Sequence, residues 1–262
     1  KEYGMDSLAI TDHGVMYGAI KFYIAAKEAG IKPIIGVEAY QAGRSRFDKQ
    51  AGVDKDQFHI LLLAKNELGY KNLMKLVTHA NLEGYYYKPR IDKELLEKYH
   101  EGIIVLSGCL QGEVPQLILG KEFDKARETI KWFVDLFGGD YYLEIQSHKS
   151  IPEVQIVNEQ LIKFSRELGI PIVATNDIHY VNKDDAEAQD ALLAIQTKKM
   201  LSDKNRLTML DSPDFYMRSA DEMEELFKDY PDALENSVKI AEKCNLEIPI
   251  GHWILPHYPI ET

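Results

Sequence analysis

Short apolar runs and amphipathic stretches alternate along most of this chain. The runs Leu8–Thr11, Pro33–Tyr40, Ile60–Ala64, Ile103–Leu106, Tyr141–Ile145 and Pro171–Ala174 are brief and rich in β-branched residues, which predicts strands buried on both faces. Between them, Val15, Ala19, Phe22, Ala26 and Ala29 fall at helical spacing, as do Ala126, Ile130, Phe133 and Phe137. A third stripe, Val154, Val157, Leu161, Phe164 and Leu168, stops at Gly169 with Pro171 beyond it, as a helix C-terminus does. A further helix is expected over Tyr70–Asn81. Strands alternating with helices imply a parallel sheet, and six strands that start close to the first residue predict an α/β barrel lacking at least one strand. From Ser212 onward the pattern turns helical, at Ala220–Phe227 and Pro231–Cys244, before a segment containing Pro and His. The division expected is a barrel over residues 1–211 and a helical connector over 212–262. No internal repeat or low-complexity tract is present.

The ends of the strand runs carry the chemistry. Residues just past a strand's C-terminal end project from one rim of a parallel sheet, where such folds place their reactive groups. Two runs far apart in sequence close alike, on Asp12-His13 and on Asp177-Ile178-His179. Glu38 and Cys109 stand at other strand ends, in Gly36-Val37-Glu38 and Ser107-Gly108-Cys109. Imidazole, carboxylate and thiolate together are what zinc accepts, and carboxylate ligands also suit manganese or iron. Each residue also has an ordinary structural reading: Asp12 as the cap of the following helix, Cys109 as a small buried apolar group. His148 follows another strand end and is a candidate rim residue. His59 begins its strand, the wrong end for a parallel sheet, and reads as structural from the pattern alone. His79, His100, His252 and His257 read as solvated or core residues.

Composition narrows the class. A chain of 262 residues with 45% hydrophobic content can bury a large core. No window of about 18 uninterrupted apolar residues occurs, so no membrane span is expected. Two cysteines, Cys109 and Cys244, form no disulfide framework, which points to a reducing cytoplasmic setting. The formal charge of −11 excludes a surface that grips nucleic acid throughout, so any such contact is local. Lys88 and Arg90, beside Tyr85-Tyr86-Tyr87, combine cations with aromatics and are the candidate for it, with His148. The beginning Lys1-Glu2-Tyr3-Gly4 has no initiator Met and no signal-peptide pattern, and reads as a cut within a longer protein.

Taken together, Thr11-Asp12-His13-Gly14, Lys32-Pro33-Ile34-Ile35-Gly36-Val37-Glu38, Phe58-His59-Ile60-Leu61, Lys88-Pro89-Arg90-Ile91-Asp92, Leu106-Ser107-Gly108-Cys109-Leu110, Leu143-Glu144-Ile145-Gln146 and Ala174-Thr175-Asn176-Asp177-Ile178-His179-Tyr180 resemble the polymerase and histidinol phosphatase (PHP) domain, in the branch found in bacterial replicative polymerases. The resemblance runs nearly end to end. It implies an α/β fold, a distorted seven-stranded (β/α) barrel with its first strand missing and a C-terminal helical extension. It also implies a cluster of up to three divalent transition metals, zinc or manganese or iron, held by His13, Glu38, His59, Cys109, Asp177 and His179. Asp12 would hold the imidazole of His13, and Asp12 and Asp177 would serve catalysis. The family's opening His-x-His motif would precede Lys1.

The activity so implied is metal-dependent 3′→5′ exonucleolytic or phosphoesterase chemistry on a DNA 3′-end, within a magnesium-dependent DNA-directed DNA polymerase. Implied partners are the rest of the polymerase chain, a proofreading exonuclease subunit and other replisome subunits. Two other readings share the residues. One is a non-catalytic, metal-stabilised module that docks a proofreading subunit; the other is a free-standing phosphomonoesterase of the histidinol-phosphatase type.

Overall fold

One curled sheet organises the molecule, seen in a computed structural model that describes residues 1–251, 253 and 255. His252 and His257 lie outside the described residues. Strands β1 (Ser7–Ile10), β2 (Lys32–Ala42), β3 (Gln57–Ala64), β5 (Ile103–Leu106), β6 (Tyr141–Ile145) and β7 (Ile172–Ala174) pair in that order, and the short β4 (Arg90–Ile91) adds to β2. The helices are α1 (Ala19–Glu28), α2 (Glu67–Leu82), α3 (Lys93–Tyr99), α4 (Glu113–Leu119), α5 (Phe123–Phe137), α6 (Pro152–Leu168), α7 (Ala186–Gln196), α8 (Ala220–Leu226) and α9 (Pro231–Lys243). The sheet forms a half-barrel, open between β1 and β7 among the described residues.

The expectation of a wholly parallel sheet is corrected at β3, which runs antiparallel to both β2 and β5. A parallel pair needs a crossover, usually a helix. Residues 43–56, between β2 and β3, hold no helix, so the chain returns antiparallel. The N-terminal end of β3 therefore lies on the same rim as the C-terminal ends of its neighbours.

Strict alternation then sorts the side chains. Following the register from strand to strand, Ile35, Val37, Ile60, Leu62, Ile103, Val105, Tyr141, Leu143 and Ile172 share one face. All are buried in the main core, against Ala126, Ile130 and Phe133 of α5 and Val157, Leu161 and Phe164 of α6. The opposite, concave face carries Ile34, Leu63, Ile104, Leu106, Tyr142 and Val173, a smaller apolar floor that Ile240 and Cys244 of α9 cover. Asn236 donates to Ile172 O at 2.8 Å, and Asn245 N–H donates to Lys65 O at 2.6 Å. Helix α9 thus packs into the same body as the sheet. The expectation that every strand is buried on both faces fails for β1, which is only half-buried, with Ala9 exposed. As a sheet edge it lacks a neighbour on one side. In α1 the buried positions are Ala19, Tyr23 and Ala26, while Val15 precedes the helix and Ala29 is exposed.

Candidate metal centre

The ladder between β1 and β2 continues past the end of β1. Ile10 pairs with Ile35, and in the same register His13 bridges Glu38, with Gly14 N–H donating to Glu38 O at 2.8 Å and Glu38 N–H to Asp12 O at 3.1 Å. His13 and Glu38 thus share the concave face, and the register puts His59, opposite Tyr40, on it as well. Glu144 pairs with Val173 on the same face, and Asp177, in the turn past β7, lines the same hollow as Glu38 and Glu144. Alternate residues on adjacent strands therefore aim at one point. That explains why a histidine at the start of its strand reaches the rim: β3 is reversed.

Glu38 is the hub. It is buried, its Oε1 lies 2.7 Å from His59 Nδ1, and its Oε2 lies 3.5 Å from His13 Nε2. Potential ligand atoms of His13, Glu38 and His59 all lie within 4.8 Å of one another. Cys109, delivered by the turn after β5, approaches with Sγ 3.6 Å from His59 Nδ1 and 3.9 Å from Glu38 Oε1. Across the rim, His179 Nε2 stands 3.3 Å from Asp177 Oδ1. The two groups meet through His13, whose ring centroid is 5.9 Å from that of His179. Asp177 has φ +49°, a backbone region that costs a non-glycine residue about 1–3 kcal/mol and is concentrated at functional sites. Asn176 pins this turn, donating to Tyr216 O at 2.6 Å and accepting from Arg218 at 2.7 Å.

Protonation follows from burial and partners. Burial lowers the pKa of His13, so it is held neutral with a free lone pair. Burial alone would raise Asp177, but the hydrogen bond with His179 and the surrounding imidazoles outweigh it and hold the carboxyl below its usual range. For His179, desolvation is outweighed by Asp177, and the pKa rises. Burial, reinforced by Glu38, pushes the Cys109 thiol well up.

Three sequence expectations sit differently. The carboxylate of Asp12 accepts from the N–H of Gly18, the N-cap residue of α1, at 3.1 Å and makes no hydrogen bond to His13; Asp12 is not itself the cap of that helix. Arg90 is 1% exposed, and its guanidinium donates to the carbonyls of Gly84, Asp54, Arg46 and Asp48. It ties down the loop before β3 and presents no charge to a nucleic acid. Lys88, half-buried with its ammonium 5.3 Å from the centre of the Tyr40 ring, does face the site. His148 is 4% exposed and stacks on Phe215 at 4.1 Å, so it belongs to the wall of a cavity and not to an outer surface. Glu144 was not anticipated. It is buried beside the centre, its Oε1 accepting from Thr175 at 2.5 Å and from Gln146 at 3.0 Å, and burial pushes its carboxyl up to about 7. A glutamate inside an apolar strand, Tyr141–Ile145, is the signal that marks it in the sequence.

Fold and site together define a metal-dependent domain of phosphoesterase type, and the chain belongs to the PHP domain family, whose model matches residues 1–148. Nearly its whole length is similar to polymerase subunits. It is 55% identical over 262 residues to the DNA polymerase III subunit alpha of Borreliella burgdorferi, covering 99% of this chain and 23% of that protein. Identity to the proteins of the same name is 45% in Treponema pallidum and 43% in Thermus aquaticus, covering 99% and 97% of this chain and 22% and 21% of theirs. The chain therefore spans less than a quarter of the length of these relatives. No helix among the described residues is long and apolar enough to cross a membrane.

Proposed function

We propose that this chain is the metal-binding phosphodiesterase module of a bacterial replicative DNA polymerase alpha subunit, acting 3′→5′ on a DNA 3′-end. The observation that carries the reading is the convergence of His13, Glu38, His59, Cys109, Asp177 and His179 on one rim of one sheet. The donor set fits a metal centre. Imidazole nitrogens, carboxylates and one thiol suit zinc, with manganese and iron as the carboxylate-tolerant alternatives. The His13–Glu38–His59 group and the Asp177–His179 pair offer donors for more than one ion, and up to three is what the family resemblance implies. Bound divalent ions supply charge that polarises a phosphoryl oxygen and acidifies an attacking water.

The chain's own residues do the remaining work. The environment favours an ionised Asp177 and a neutral His13, the states that ligands need, while Asp177 raises the pKa of His179, so a metal competes there with a proton and uptake weakens toward acid. Glu144 Oε2 is buried without a protein partner and is where the site can hold a proton near neutral pH. Lys88 offers a cation to the incoming phosphate.

Similarity to polymerase subunits across residues 212–262 as well as the barrel favours the replicative branch over a free-standing phosphomonoesterase. On this reading residues 1–211 are the barrel and 212–262 lead toward a magnesium-dependent polymerase, with DNA, a proofreading exonuclease subunit and other replisome subunits as partners, in the cytoplasm. The test is release of nucleotides from a 3′-labelled strand by the full-length, metal-loaded protein. Asp177→Asn and His59→Ala should abolish release and spare polymerisation. Absence of release from a folded, metal-loaded wild type would overturn the catalytic reading in favour of a docking module.

A further inference from the structure

We propose that the cavity of about 830 Å³ beside the metal centre, walled by Gln57, His148 and Ser212, is the seat of the terminal nucleoside monophosphate of the substrate strand. The proposal rests on the phosphodiesterase reading above and specifies what occupies the space next to the reacting phosphate.

Volume is the first ground. The cavity is of the size that holds a small organic ligand, far beyond what a phosphate alone needs. His13, Glu38, His59, Asp177 and His179 form one end of it. A phosphoryl group at those side chains would therefore place its organic substituent inside.

Unmet polarity is the second. Among the described residues, seven buried side-chain polar atoms have no hydrogen-bond partner in the protein, and four of them belong to this one wall: Gln57 Oε1, both ring nitrogens of His148 and Ser212 Oγ. Each such atom costs about 1–3 kcal/mol when left unsatisfied, so their grouping on residues that line one cavity favours a partner bearing both donors and acceptors. Gln57 Oε1 accepts, a neutral His148 donates from one nitrogen and accepts at the other, and Ser212 does both. The edge of a base and a sugar hydroxyl offer that mixture, while inorganic phosphate offers mainly acceptors. The rest of the wall includes Leu110, Ile151, Leu193 and Met209, an apolar surface suited to the face of a base.

Charge decides how many phosphates enter. Among the described residues, Lys88 is the only lysine or arginine lining the cavity, and apart from the proposed metal ligands Glu38 and Asp177 its acidic lining is Asp211. Away from the metals, the extra phosphates of a triphosphate would find no cation beyond Lys88, and Asp211 would oppose them. The site is thus built for a monophosphate unit and not for the precursors of synthesis.

Calorimetric titration of the full-length, metal-loaded protein with a deoxynucleoside monophosphate, the matching triphosphate and inorganic phosphate tests this. The monophosphate should bind at least tenfold more tightly than either of the others. Ser212→Ala and Gln57→Leu should each reduce that preference at least threefold, with phosphate affinity and metal content unchanged, which separates lost recognition from lost fold. An oligonucleotide with a free 3′-end should displace the monophosphate, and one with a bulky 3′-cap should not; displacement by both alike would overturn the terminal-unit assignment. Equal binding of monophosphate and inorganic phosphate would overturn the cavity proposal and leave the phosphodiesterase reading standing. No phosphate binding by any ligand would overturn both.

Discussion

Two neighbouring cations show how misleading residue type can be on its own. Lys88 and Arg90 look equivalent in sequence, yet only Lys88 faces the cavity, while Arg90 satisfies four buried carbonyls. Arg90→Met should lower stability by about 3 kcal/mol or more, since several acceptors lose their donor. Lys88→Met should leave the melting temperature within a degree or two and weaken binding of a single-stranded oligonucleotide; equal stability loss in both variants would contradict the assignment. The cysteines differ in the same way. Cys244 is 1% exposed beneath the sheet, whereas Cys109 adjoins Glu38 and His59. In chelator, alkylation of Cys109 should be slow at neutral pH and accelerate as pH rises, because burial holds the thiol protonated, and metal should suppress it throughout. Cys244 should label only on unfolding. Peptide mass spectrometry checks both, and a Cys109 rate indifferent to metal would remove it from the ligand set.

Glu144 makes a prediction with a definite sign. Its folded pKa, about 7, lies above the ordinary 4.5, so its contribution to stability is fully present below pH 4.5 and is lost as pH rises through about 7. The size is on the order of 3 kcal/mol for the metal-free protein. Glu144→Gln should therefore match the wild type near pH 4.5 and exceed it by up to that amount at pH 8, measured by urea unfolding in chelator. A difference independent of pH would show that Glu144 is not held protonated.

At the scale of elements, the strands and the main helices are legible in the sequence because burial on one or two faces writes a clear period. Strand Ile103–Leu106 and helix stripes such as Ala126, Ile130 and Phe133 stand where periodicity puts them. Direction is not written that way. A strand reads the same whichever way it runs, and the reversal of β3 shows only in the lack of a helix across residues 43–56. That one feature misassigns His59, and only the family resemblance promotes it to a ligand. The short β4 is invisible because a two-residue strand has no period. Close contact between β2 and β3 is equally hidden: a side chain on Gly36 would meet Leu62 O at 2.5 Å. Gly36→Ala should force the strands apart beneath the centre and cost about 1–3 kcal/mol, with metal affinity falling alongside. Unchanged metal affinity and stability would contradict the rigid register on which the site depends.

For the molecule as a whole, convergence is the central fact. Six side chains from both edges and the middle of one sheet reach a common rim, and their donor types are the ones the proposed metal centre requires. Sequence reveals the candidate ligands beyond the ends of β1, β5 and β7, and Glu38, although β2 runs on past it to Ala42, but not the burial of His148, which depends on Phe215 folding back over it. Bound metal contributes folding free energy, so loss of any one ligand should lower both occupancy and melting temperature. The most direct test is elemental analysis of the purified full-length protein. More than one equivalent of transition metal per chain is expected, reduced by His59→Ala and by Asp177→Asn; less than one equivalent in the folded wild type would contradict the account.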